Sequence, residues 1–129
     1  MQFGVHIFPT EYSIQPDELA RAVEERGLDS LWFSEHTHIP VRFLNTSEHG
    51  TSLPDYYWQT YDLFVAMTLA AAVTKDIKIA SGVSLVIEHD TILLAKETAV
   101  LRNVEIDKRN APAGDRDLDL FERRLGLHR

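Results

Sequence analysis

The segment from Pro16 to Phe33 leaves few folds open to this chain. Pro16 stands where a first-turn proline belongs, Asp17 and Glu18 follow at the positive end of a helix dipole, and Leu19, Ala20, Ala22 and Val23 form an apolar face. Arg26-Gly27 closes that helix, with Gly27 supplying a left-handed C′ position, and Leu28-Asp-Ser30 leads at once into the apolar Leu31-Trp-Phe33. A second apolar run, Phe3-Gly-Val-His-Ile-Phe8, precedes the helix and is closed by Pro9 and Thr10, which suits a strand buried on both faces. Strand, helix, short turn, strand is a βαβ unit. Such units cross over right-handed and build parallel sheets.

The alternation continues. Asp62 is placed to cap Leu63–Val73, an Ala-rich segment that is apolar over most of its circumference and so reads as a well-buried helix. Residues 77–87 form the expected third strand, interrupted at Ser81-Gly82, where a glycine marks a bulge, an irregular peptide or a close backbone approach. Asp90 is the expected N-cap of a helix over 91–105, with Ile92, Leu93, Ala95, Ala99, Val100 and Val104 facing inward. The expected fold class is therefore α/β: a (βα)3 domain with parallel strands over residues 1–109. A linker and a C-terminal tail helix over 110–129 follow, with Leu118, Phe121 and Leu125 at helical spacing.

Composition narrows the function classes. A chain of 129 residues, 44% hydrophobic and 26% charged, suits one globular core. The formal charge of −7 arises entirely within residues 1–104, so the basic footprint that phosphate binding requires is missing and nucleic acid is excluded as an expected partner. The absence of cysteine removes disulfides, thiolate metal sites and a Cys nucleophile. The first residues lack the basic and apolar regions of a signal peptide, and the apolar run from Leu63 to Val73 is about half a membrane span. No membrane partner is expected, and the expected location is cytoplasmic.

Chemistry concentrates where the second strand ends. Leu31-Trp-Phe33 gives way abruptly to Ser34, Glu35, His36, Thr37 and His38 before Pro40 forbids further ladder pairing. In open α/β sheets and (β/α) barrels alike, ligands bind beyond the carboxyl ends of the strands. The irregular stretch from Thr37 to Tyr61 leaves that same end, placed to form a lid. Its Tyr56, Tyr57, Trp58 and Tyr61 either cover a flat ligand or pack the loop onto the exterior. His6, inside the first strand, is either a hydrogen-bonded core histidine or points into a pocket. His36 and His38, at i and i+2 of a strand, would share a face and suit Zn²⁺, as in a metal-dependent hydrolase. His49, His89 and His128 show no companion spacing and read as surface residues.

Phe8-Pro-Thr10, Leu19-Ala-Arg-Ala-Val-Glu-Glu-Arg-Gly27, Ser34-Glu-His-Thr-His-Ile-Pro40, Ala80-Ser-Gly-Val-Ser84 and Leu94-Ala-Lys-Glu97 together resemble the amino-terminal part of luciferase-like monooxygenases. The subgroup they resemble is the coenzyme F420 (deazaflavin)-dependent oxidoreductases, over about residues 3 to 102. The resemblance implies part of a TIM barrel, with the cofactor ring across the carboxyl mouth of the strands. The cofactor would be F420, with FMN as the alternative. It implies catalytic roles for His36 and Glu35, a non-prolyl cis peptide at Gly82-Val83, and cofactor binding by His6, Thr10, Ser81, Gly82, Val83 and Ser84, without a metal. An imidazole titrates near neutrality and suits a proton-managing role, and Glu35 would orient it. Relatives continue into a fourth strand where this chain has Leu101–Arg109, so the expectation is a truncated barrel that holds cofactor weakly by itself. The alternatives are a non-catalytic, self-associating remnant and the His36/His38 metal-dependent hydrolase. Two unpaired sheet edges point to a homodimer or larger assembly, besides a small-molecule cofactor and substrate.

Overall fold

The structure, a computed structural model, describes residues 1–39 and 53–110, with side chains described as far as Val104. Strands β1 (Gly4–Ile7), β2 (Ser30–Phe33) and β3 (Lys78–Ser81) alternate with helices α1 (Pro16–Glu25), α2 (Leu63–Val73) and α3 (Thr91–Asn110). All pairing is parallel, in the order β1-β2-β3, with Gly4 opposite Ser30 and Ser30 opposite Lys78. The described residues thus form the expected (βα)3 arc, an open sheet with its helices on one face. The expected linker and tail helix, the loop residues 40–52, and His49 and His128 lie outside the described residues. Among the described residues no helix is long and apolar enough to cross a membrane.

Local chemistry sets the element ends. α1 begins with Pro16 after an extended Gln15 and ends with Gly27 at φ 69. The Gly27 N–H donates to the Glu24 carbonyl at 2.9 Å and the Leu28 N–H to the Val23 carbonyl at 3.2 Å, a Schellman pair that satisfies two free carbonyls and aims the chain into β2. The Asp62 carboxylate accepts from the Val65 N–H at 2.9 Å at the start of α2. That of Asp90 accepts from the Ile92 and Leu93 N–H groups, each at 3.0 Å, at the start of α3. A longer-range tie comes from Glu24, whose Oε1 accepts from the backbone N–H groups of Lys75 and Asp76, each at 2.7 Å, in the turn that enters β3.

The core lies between the sheet and its helices. Leu31 and Phe33 of β2 are fully buried against Ala20 and Val23 of α1 and Leu63, Ala66, Met67, Ala70 and Ala71 of α2, with Leu101 of α3 closing one side. Burying a Leu or Phe side chain contributes about 1.5–3 kcal/mol, so β2 anchors the sheet. The alanines let α2 approach α1, α3 and the sheet together.

Three expectations are corrected. The strands are not covered on both faces: β1 alternates exposed and half-buried residues, and Trp32 on β2 is 41% exposed, because every described helix sits on the other side. The third strand ends at Ser81 rather than at Ile87. The Gly82–Val83 peptide is cis, residues 86–88 form a 3₁₀ turn, and the Leu85 N–H is taken by the Glu35 carboxylate instead of a ladder carbonyl. On α3 the inward stripe is Leu94, Glu97, Leu101 and Val104, spaced three and four apart. Ile92, Leu93, Ala95, Ala99 and Val100 face outward, Ile92 being 80% exposed, since α2 flanks only one side of the helix.

Candidate functional site

Beyond the last paired residues the chain keeps its register for one more step. The Ser34 N–H donates to the Ile7 carbonyl at 3.0 Å and the Gly82 N–H to the Phe33 carbonyl at 2.8 Å. Strand alternation then sets His6, Ser34 and Gly82 on the uncovered face, at the carboxyl ends of all three strands. His6 Nε2 lies 2.7 Å from Ser34 Oγ and 3.0 Å from the Gly82 carbonyl oxygen. With its proton on Nε2 the imidazole donates to the Gly82 carbonyl, and the Ser34 hydroxyl lies within reach of both partners.

Below this triad the face is partly apolar, with Trp32 exposed on it. A Cβ built on Gly82 would meet the His6 ring at 3.5 Å and Trp32 Cε3 at 3.7 Å, which places the glycine on the same open side as both. The Trp32 indole N–H donates to Ser30 Oγ at 2.9 Å and holds the ring across Gly4. Above the triad stands an aromatic wall. Phe8 stacks on His36 at a centroid distance of 6.0 Å and an interplanar angle of 15°, and Tyr57 meets His36 edge-on at 4.7 Å. Tyr56 packs on both Phe8 and Tyr57. Desolvation, then the hydrogen bond and proximity to Tyr57 and the nearby Tyr12, hold the Tyr56 phenol above its ordinary value. Of the four loop aromatics, Tyr56 and Tyr57 reach the strand ends, Tyr61 donates to Gln15 Oε1 at 3.1 Å, and Trp58 stays half exposed.

Thr10 lies beside this end of β1. Its N–H donates to Ser13 Oγ at 2.9 Å, its carbonyl accepts from the same hydroxyl at 2.9 Å, and it bridges Thr60. Its own Oγ1 is buried and has no hydrogen-bond partner among the described residues.

Glu35 sits in a second cluster. Its carboxylate, in a residue only 5% exposed, accepts from His89 Nε2 at 2.8 Å on one oxygen; on the other it accepts from the Leu85 N–H at 2.5 Å and the Ser84 hydroxyl at 3.2 Å. The carboxylate expected to orient His36 is therefore committed to the segment after β3. His89 is no surface residue: it is mostly buried and stands edge-on to Phe64 at 5.9 Å.

The expected site residues thus divide. His6 and Gly82 converge directly, and His36 joins them through Phe8. Ser84 belongs to the Glu35 cluster, and Val83 is exposed. Ser81 pairs in register with Phe33, on the helix-covered side, and does not join the triad. The His36/His38 metal pair loses its premise, because β2 ends at Phe33 and the two histidines do not share a strand face. His36 packs against aromatics, while His38 bonds Thr37 and pairs with Glu88 at 3.8 Å. Among the described residues no group of three metal-ligating side chains gathers. Sequence reasoning gave no role to Ser34 and misplaced His89. Strand parity with Trp32 was a usable signal for Ser34; nothing local marks His89, whose partner is 54 residues away.

A parallel (βα) arc with polar side chains gathered at the carboxyl ends of its strands is the layout of part of a (β/α) barrel, a fold class in which ligands bind at that end. The family described as luciferase-like monooxygenase matches residues 13–105, and the chain belongs to it. An uncharacterized protein of Mycobacterium tuberculosis and one of Mycobacterium bovis are each 41% identical over 106 residues, covering 78% of this chain and 37% of theirs. The chain thus spans a little over a third of the length of the curated relatives it matches. Members of the family are barrel oxidoreductases that bind flavin or deazaflavin cofactors.

Proposed function

We propose that the uncovered face of this sheet is the ring-binding part of a flavin- or deazaflavin-dependent oxidoreductase site, F420 being preferred and FMN the alternative. The observation that carries this reading is the convergence of His6, Ser34 and Gly82 on an open, partly apolar face bounded by Phe8 and His36. The residues present fit a flat heteroaromatic ring. Gly82 brings only backbone to the surface, Trp32 and Phe8 supply apolar area, and Thr10 Oγ1 is a buried polar atom without a partner among the described residues. When bound, such a cofactor supplies hydride-transfer or oxygen chemistry. In this assignment His6, Gly82 and Val83 support the ring, Thr10 offers its hydroxyl, and His36 manages a proton at the reacting edge while Phe8, Tyr56 and Tyr57 exclude water around its imidazole.

Residues 1–109 act as the binding domain in this proposal, in a cytoplasmic protein. Titration with F420 and with FMN, followed by fluorescence, is expected to saturate below millimolar concentration, and His36→Ala is expected to remove turnover more than binding. No saturable signal up to millimolar cofactor refutes the assignment.

The apolar surface left by the open sheet edges and by Ile87, 96% exposed, together with Ile92, supports a second element of the proposal, assembly into a homodimer or larger oligomer.

A further inference from the structure

We propose that Glu35 and His89 are positioning residues, a lock that fixes the backbone after β3 and thereby sets the place of the Gly82–Val83 peptide on the open face. Glu35 lies one residue beyond Ser34, at the carboxyl end of β2, whereas Ser84, Leu85 and His89 all follow β3. One carboxylate takes three donors from that segment: the His89 imidazole N–H, the Leu85 amide and the Ser84 hydroxyl. Three donors on two oxygens of a buried anion are charge-assisted and geometrically restrictive, and removing any one leaves charge buried with fewer partners. The Phe64 ring holds the imidazole edge-on from α2, and Asp90, the next residue, caps α3, so His89 is fixed from two elements. A further link runs outside the cluster, from the Thr37 hydroxyl to the Glu88 carboxylate. The Gly82 carbonyl accepts from His6 at the near end of the same segment. The segment is thus held at Gly82 by β1 and at 84–89 by the residues just after β2, so Gly82–Val83 has little room to shift.

The lock itself rests on geometry alone; only its consequence for cofactor affinity rests on the function proposed above. The test uses the full chain, labelled with ¹⁵N, and three variants. His89→Phe keeps a ring against Phe64 but removes the donor, whereas His89→Gln restores an N–H donor without the ring. The Leu85 amide is expected to exchange with solvent at least about tenfold faster in His89→Phe, with shifts at Gly82 and Val83, and to stay near wild type in His89→Gln. Glu35→Gln presents an amide N–H toward His89, so the imidazole ¹⁵N spectrum is expected to change from Nε2–H to Nδ1–H, an effect mere packing does not produce. Equal behaviour of the two His89 variants, or an unchanged His89 spectrum in Glu35→Gln, overturns the lock. Titration of the same proteins with F420 and FMN is expected to show about tenfold weaker binding for His89→Phe only. Equal affinity in all His89 variants overturns the link to the ring site. No binding by wild type refutes the cofactor proposal itself, and the exchange data then decide the lock alone.

Discussion

Gly4 offers a direct measure of how tightly the open face is built. A Cβ at this position would lie 2.3 Å from Ser30 Oγ, 3.1 Å from the Ser30 carbonyl oxygen and 3.2 Å from Trp32 Nε1. In Gly4→Ala the Ser30 hydroxyl must therefore rotate away, which breaks its 2.9 Å bond to the indole and leaves two tight contacts behind. The lost hydrogen bond costs about 0.5–1.5 kcal/mol and crowding of this kind typically 1–3 kcal/mol. Replacing a strand glycine by alanine returns roughly 0.5–1 kcal/mol, so a net loss of about 2 kcal/mol is expected, within a span of about 0.5–4 kcal/mol. Ser30→Ala removes the worst contact. In the double variant the two effects are expected to fall short of additivity by about 1 kcal/mol. Urea unfolding followed by tryptophan fluorescence reads this well, since Trp32 is one of only two tryptophans. A Gly4→Ala protein within about 0.5 kcal/mol of wild type, or strictly additive single effects, would refute the reasoning.

Two further outcomes are expected. Gly27→Ala meets no atom within 4 Å, so its cost is that of a left-handed backbone alone, about 1–2 kcal/mol, and Gly27→Asn is expected to lose less; thermal unfolding of both checks the order. Light scattering across micromolar concentrations is expected to report a dimer or larger species, and a monodisperse monomer counts against assembly.

Much of the fold was legible because its signals are local. Pro16, Asp62 and Asp90 announce helix starts and Gly27 a helix end, Pro16 through its fixed φ and the other three through a bond to a residue three positions away. What escaped depends on neighbours distant in sequence. An apolar strand does not say which face is covered, and α3 carries apolar residues on two sides, between which only the position of α2 decides. The polar cluster at the end of β2 was visible, but the division of labour within it was not. Glu35 looks like a companion of His36, the next residue, until the chain brings His89 and Leu85 to it across half a hundred positions. Ser81 was named for the ring site as what the resemblance implies, and only the register with Phe33 shows which side of the sheet it takes.

The carboxylate of Glu24 ties the first helix to the turn that enters the third strand. By gripping the turn at Lys75 and Asp76 it staples α1 to the entrance of β3. Detaching the last strand from the sheet's edge therefore costs these two charge-assisted bonds as well as the strand's own ladder. The three repeats are expected to melt as one body, with the slow-exchanging amides of α1 and β3 fading together.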